Sequence, residues 1–126
     1  MPIPLTTIQK GNFSGIGEAL EAVMRTPTEW ENLWKRHVSI QSPPAPIPPV
    51  DFAKEMVAAV FLGQKNTGGY EVEITKAQRN GPALQIFYNV KAPQPGGMAI
   101  QAITQPFHIV KMPRSDGTVR FSRTGS

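Results

Sequence analysis

The sequence predicts an α+β domain in which one helix, in the N-terminal half, packs on a mainly antiparallel, twisted β-sheet. Three observations carry this expectation. Thirteen prolines and eleven glycines in 126 residues favour many short elements separated by turns over long helices. A single stretch, Thr26-Pro27-Thr28-Glu29-Trp30, has a threonine able to cap a helix, proline at the first helical position and glutamate three residues after the cap. The second half alternates apolar and polar residues on either side of an Asn-Gly pair, the pattern of a hairpin.

The elements follow in chain order. Glu18 to Met24 has helical propensities, yet its position just before a capped helix suits a strand, and a strand is the reading taken here. The helix starts at Pro27 and runs to about His37, with Trp30, Leu33, Trp34 and Val38 on one face. Ser42-Pro43-Pro44-Ala45-Pro46-Ile47-Pro48-Pro49 cannot extend it and reads as a stiff strap laid on the surface, in preference to a docking site for a proline-recognition module. Asp51 caps a short turn. Met56 to Leu62 is unbroken apolar sequence and suits a central strand buried on both faces. Tyr70–Thr75 and Leu84–Val90 alternate with period two, and Asn80-Gly81 between them signals a turn in which both central residues have positive φ. Strands near 99–104, 106–112 and 118–122 complete an antiparallel meander, and the whole chain, 1–126, is read as a single domain.

Composition removes several classes of chemistry. With no cysteine there is no disulfide framework, thiolate zinc site, iron–sulfur cluster or cysteine nucleophile. The two histidines, His37 and His108, are far apart and belong to no metal motif. His37 reads as a cation near a helix C-terminus and His108 as a half-exposed sheet residue. Ser14, Ser39 and Ser115 have no histidine at a recognised spacing, so no triad is assigned. Gly15-Ile16-Gly17-Glu18-Ala19-Leu20 begins like a dinucleotide fingerprint, but Leu20 replaces the third glycine. No metal, cofactor or catalytic residue is assigned, and the chain is expected not to be an enzyme. No apolar run is long enough to span a membrane. The start, Met1-Pro2-Ile3-Pro4, has no signal-peptide pattern, which leaves a cytoplasmic protein or a mature domain whose export signal was removed.

The formal charge of +4 is uneven, since from Ile74 onward seven Lys/Arg stand against Asp116 alone. This predicts a basic face and admits a polyanion or nucleic-acid binder, although the cations are dispersed singly along strands and no paired aromatic platform accompanies them. Gly63-Gln64-Lys65-Asn66-Thr67-Gly68-Gly69-Tyr70 is the most unusual stretch. It lacks the order of a phosphate-binding loop, so it reads either as a long hairpin turn or as a shaped binding loop. Pro93-Gln94-Pro95-Gly96-Gly97 forms a second small-residue loop.

Taken together, Thr28-Glu29-Trp30 with Leu33-Trp34, Val50-Asp51-Phe52 leading into Met56-Val57 and Phe61-Leu62-Gly63, Thr67-Gly68-Gly69-Tyr70, and Pro106-Phe107-His108-Ile109-Val110 resemble the C-terminal domain of PrcB-type protease-complex proteins over roughly positions 13 to 121. The GGY loop and the Trp-x-x-x-Trp helix are its specific parts. The resemblance implies a bacterial, mostly envelope-associated, non-enzymatic domain that associates with or stabilises a secreted protease or its precursor. It supplies no catalytic residues, and with no lipoprotein-type cysteine no lipid anchor is inferred. A looser similarity to chagasin-type cysteine-protease inhibitors rests on Asn66-Thr67-Gly68-Gly69-Tyr70, Pro95-Gly96-Gly97 and Gln105-Pro106-Phe107, in that order, and leaves inhibition as an alternative. The expected partner-binding set is Lys65, Asn66, Thr67, Gly68, Gly69, Gly96 and Gly97, with Tyr70 anchoring the loop in the core. The residues assign no oligomeric state.

Overall fold

The computed structural model describes residues 2–93 and 101–124. The α+β class holds, with one helix and eight strands among these residues: β1 (Pro2–Ile3), β2 (Thr6–Gly11), β3 (Ala19–Met24), α1 (Pro27–His37), β4 (Glu55–Leu62), β5 (Glu71–Asn80), β6 (Ala83–Lys91), β7 (Phe107–Pro113) and β8 (Val119–Thr124). The strands divide into two sheets instead of one, ordered β1-β5-β6-β8 and β2-β7-β4-β3. All pairings are antiparallel except β6 with β8, which is parallel. The expected meander is therefore corrected, because β7 leaves for the other sheet between β6 and β8. A slot beside β6 remains for β8 to enter in the same direction.

The second sheet is the middle layer. Strand β4 is buried along almost its whole length, and its side chains alternate between two cores. Met56, Ala58 and Val60 face the other sheet with Val72, Ile86, Val90 and Val110. Val57, Ala59 and Phe61 face α1 with Trp30, Leu33, Trp34, Phe107 and Ile109. An uninterrupted apolar run is what a strand covered on both faces requires.

The helix begins where the sequence places it, with Thr26 Oγ1 accepting from the Glu29 N–H at 3.2 Å. The return bond of the box is displaced by one residue, for Glu29 Oε1 accepts from the N–H of Arg25 at 2.9 Å. The proline strap runs back along α1, held by both indoles: Trp30 Nε1 donates to the Pro48 carbonyl and Trp34 Nε1 to that of Ala45, each at 3.0 Å. These bonds satisfy the polar edge of two buried rings whose apolar bodies fill the core. Asp51 caps the turn before β4, its Oδ1 accepting from the Ala53 N–H at 3.1 Å.

The hairpin also forms, with a different turn. Asn80 pairs with Ala83, so Gly81 and Pro82 are the two central residues, and Gly81 has φ 65° while no non-glycine residue has positive φ among the described residues. Glycine at the first central position is the II′ pattern, in place of the expected I′. Residues 101–104 form no strand beyond a bridge from Thr104 to Lys65, and 99–100 lie outside the described residues.

The sandwich has two unlike seams. On one side the chain passes from β1 to β2 through Pro4 and Leu5, so a single run of chain switches sheets. On the other, the edge strands β3 and β8 line a common groove with Tyr88 of β6, and among the described residues no strand lies between them. It also has two unlike ends. The segments 12–18, 63–70 and 101–106 gather at one, the glycine end; the segments 25–26, 51–54 and 114–118 gather at the other, the arginine end.

Candidate functional site: the glycine-end loops

The loop between β4 and β5 crosses from one sheet to the other, so it is not the hairpin turn the sequence also allowed. Gln64 N donates to the Gly17 carbonyl at 3.0 Å, and Lys65 and Thr104 exchange both backbone hydrogen bonds at 2.8 and 2.9 Å. Thr104 Oγ1 donates to the Thr67 carbonyl at 3.1 Å. Next to this pair, Gln105 N donates to the Asn12 carbonyl at 2.7 Å, and Gln105 Oε1 accepts from the Ser14 N–H at 3.2 Å. Three segments, 12–14, 64–70 and 103–105, thus meet on one surface.

Of the expected contact residues, Asn66 and Gly69 are exposed, and Lys65, Thr67 and Gly68 half-buried. Lys65 Nζ sits 5.2 Å from the centre of the Tyr70 ring. Gly69 has φ 92°, and a Cβ there would stand 3.0 Å from Pro93 Cβ, so the position requires glycine both for its backbone and for its neighbour. Gly96 and Gly97 lie outside the described residues. The anchoring role given to Tyr70 is corrected. It is half-buried and belongs to neither core; with Lys10, Gly11, Asn12, Gly69 and Glu71 it lines an open groove of about 370 Å³. Lys10 closes one wall by pairing with Glu71, and that hydrogen bond and charge hold the Glu71 carboxyl below its ordinary pKa.

Sequence reasoning missed two residues of this surface. Phe13 is 61% exposed and Ile103 57%, and each flanks a residue that joins the segments, Asn12 and Thr104. No periodicity marked them, because both lie outside regular elements and are brought to the loop only by backbone pairing between segments distant in sequence.

Both histidine readings are overturned. His37 is buried to 1% exposure, its ring packed against Trp34, Phe61 and Phe107, and burial pushes its pKa down to about 4. It is a neutral core residue. Its Nδ1 lies 2.8 Å from Ser14 Oγ and its Nε2 2.6 Å from Gln9 Oε1. Since Ser14 Oγ accepts from the Ile16 N–H at 3.0 Å, the consistent assignment has Ser14 donating to Nδ1 and Nε2–H donating to Gln9. The serine does have a histidine partner, 23 residues away in sequence. However, both are buried, and both ring nitrogens are engaged within the protein. His108 is likewise buried: Nδ1 accepts from the Ile74 N–H at 2.8 Å and Nε2 lies 2.9 Å from Thr7 Oγ1. Strand β1 reaches only Ala77 and Gln78 on β5, and upstream of it His108 takes the β5 donor. Burial, then the nearby Lys10 charge, lowers its pKa.

The glycine motif at 15–17 leads into strand β3 and does not open a helix. Gly15 N donates to the His37 carbonyl at 2.8 Å, at the C-terminal end of the helix, where an anion is disfavoured.

The family model described as PrcB C-terminal matches residues 56–113. The resemblance to the PrcB C-terminal domain is shown over those residues. No curated protein and no solved structure matches the chain. The PrcB-matched segment holds β4, the glycine-rich loop, the β5–β6 hairpin and β7, while the Trp30/Trp34 helix lies outside it. Among the described residues no helix is long and apolar enough to cross a membrane, and no three His, Cys, Asp or Glu side chains cluster in a way that could hold a metal.

Proposed function

We propose that the chain is a non-catalytic protein-binding module that associates with, or stabilises, a protease or its precursor, and that the 63–70 loop is its contact surface. The observation that carries the reading is the position of this loop: it lies inside the PrcB C-terminal match, and it shares a surface with the exposed Phe13 and Ile103. Exposed backbone beside isolated apolar side chains suits capture of an extended partner chain, with the backbone giving affinity and the side chains specificity. Lys65, Asn66 and Thr67 make side-chain contacts in this reading, Gly68 and Gly69 set the curvature, and Gly96 and Gly97, outside the described residues, complete the expected set.

A chagasin-like inhibitor is favoured less. The third of its echoes, Gln105-Pro106-Phe107, contains two buried residues, and Phe107 sits in the helix-side core. A polyanion binder is also weaker. Arg114 is paired with Asp116, Lys111 with Glu55, and Lys76 lies over the Phe87 ring, which leaves the remaining cations scattered.

The test is capture from extract of the source cell, followed by measurement of the captured protease's thermal inactivation half-life with and without the chain. Capture of a protease whose half-life the chain prolongs supports the reading. The double variant Gly68→Ala/Gly69→Ala should lose capture while keeping its circular dichroism spectrum, because an L-residue at the φ of Gly69 costs only about 1–2 kcal/mol against a typical stability of about 5–15 kcal/mol. If the folded variant captures the same protease at unchanged affinity, the interface lies elsewhere.

A further inference from the structure

The open seam between β3 and β8 differs from the rest of the surface. Strand β3 ends the order β2-β7-β4-β3, so the backbone groups on its outer edge have no strand partner among the described residues. Proteins usually protect such an edge with outward charge, proline or a covering element. Strand β8 does so with Arg120 and Arg123, both exposed. The sequence of β3 is Ala-Leu-Glu-Ala-Val-Met, and its single charge does not serve as a guard: Glu21 accepts from the Tyr88 O–H across the seam at 2.6 Å. Beside that bond opens a groove of about 350 Å³, lined among others by Glu21, Val60, Leu62, Lys65, Tyr88 and Arg123. Burial and the bond to Glu21 push the Tyr88 hydroxyl up to about pKa 12, so Tyr88 keeps the proton it donates at neutral pH. The carboxylate is thereby engaged, whereas Lys65 and Arg123 have no ion-pair partner among the described residues.

We propose that this seam docks an extended segment of a partner protein, which pairs with the free edge of β3 and places an acidic side chain between Lys65 and Arg123. Edge pairing supplies the backbone hydrogen bonds, and alternate side chains of the added strand point into the groove, as strand addition requires. A second copy of this chain fits less well, since it would set the same two cations against themselves. The proposal shares Lys65 with the glycine-loop reading but goes beyond it, since that reading requires nothing of Arg123 or of the β3 edge, and this one requires nothing of Gly68 and Gly69.

The experiment uses the whole chain and a synthetic peptide of about eight residues, alternating valine and threonine with one central aspartate, alongside the same peptide carrying lysine. Fluorescence anisotropy should give an affinity for the aspartate peptide about tenfold or more above that for the lysine peptide. Amide exchange should slow at Ala19–Val23 on binding. Arg123→Glu should reverse the preference, and the milder Arg123→Gln should reduce it, which keeps the test decisive if charge reversal perturbs the fold. The Gly68→Ala/Gly69→Ala protein should bind the peptide as the parent does, so loss of protease capture with retained peptide binding separates the two surfaces. Equal binding of both peptides, absence of protection on β3, or β3 protection that rises with protein concentration without peptide would overturn the proposal, the last outcome giving the edge to a second copy.

Discussion

At the arginine end of the sandwich, loop carbonyls are met by guanidinium groups. Arg25 Nε donates to the Ser115 carbonyl at 2.9 Å and its Nη2 to that of Gly117 at 2.7 Å; Arg114 Nη1 donates to the carbonyls of Arg25 and Phe52 at 3.1 and 2.8 Å. At the glycine end the described loops 63–70 and 101–106 are joined to each other mainly by backbone pairs, with Thr104 Oγ1 and Gln105 Oε1 adding single side-chain bonds, and Asn66, Gly69, Phe13 and Ile103 face solvent. A forked cation with five donors locks several carbonyls in fixed directions. A glycine-rich loop held at a few points keeps unpaired backbone available. The contrast teaches that the basic residues of this chain serve partly as internal fasteners, and that recognition is to be sought where fasteners are absent.

The two ends are tied together by α1 and its strap, so the largest effect is expected from the helix. Trp34 is 5% exposed, packs 5.4 Å from Trp30 and 5.2 Å from His37 by ring centres, and donates to the strap. Trp34→Ala should cost about 3–5 kcal/mol through the cavity and the freed Ala45 carbonyl. A urea melt measures this. A loss no greater than that of a surface substitution, about 0.5 kcal/mol, would mean that the strap and helix do not couple the ends.

Much of this middle layer could be read directly from the chain. Thr26, Pro27 and Glu29 state a helix start through local chemistry, Trp30, Leu33 and Trp34 state its buried face, and Met56–Leu62 states a strand covered on both sides. What could not be read is whatever depends on pairing between distant segments. Pro2–Ile3 and Thr6–Gly11 carry no strong alternation and become strands by adding to the edges of β5 and β7. The division into two sheets follows from β7 leaving β6, which no local signal records. The candidate site divides in the same way. The glycines of 63–70 stood out by composition, whereas Phe13, Ile103 and the Ser14–His37 pair are assembled by the fold.

The second effect, acid sensitivity, sharpens the comparison because it acts at the glycine end. His37 is neutral in the folded protein, with its pKa lowered to about 4, while an unfolded histidine protonates near pH 6.5. As pH falls below about 6.5 the unfolded state takes up a proton that the folded state refuses. Stability should therefore be unaffected by this group above that pH and decline below it, by about 3 kcal/mol from His37 by pH 4. His108, also lowered, adds in the same direction; Glu71, whose pKa is depressed, does so only once pH falls to the ordinary carboxylate range, where the unfolded carboxyl takes up a proton first. Denaturant melts across pH 7 to 4 test the size, and amide exchange tests the place: Gly15, Ile16 and the end of α1 should lose protection before residues 114–118. A flat profile over that range would contradict the neutral, buried assignment of His37.

The smallest effect probes the arginine end directly. Arg25→Ala removes two charge-assisted hydrogen bonds from the 115–117 segment, but that segment lies at the surface, and water can reach part of what is exposed. The cost should therefore fall near 2 kcal/mol, below the sum for two fully buried bonds to a charged group. Arg25→Lys should recover only part of it, because one ammonium on a flexible stem cannot reproduce two N–H donors in a fixed fork. Exchange should accelerate at 114–118, where Ser115 Oγ already sits buried with no partner among the described residues, while the amides of Lys65 and Thr104 keep their protection. If Arg25→Ala instead loosens the Lys65–Thr104 pair as much as its own loop, the two ends are one cooperative unit. The glycine end then owes its openness to the arginine end's fastening, and the capture test would have to be repeated in the Arg25→Ala background, where binding should weaken along with the lost order of the loop.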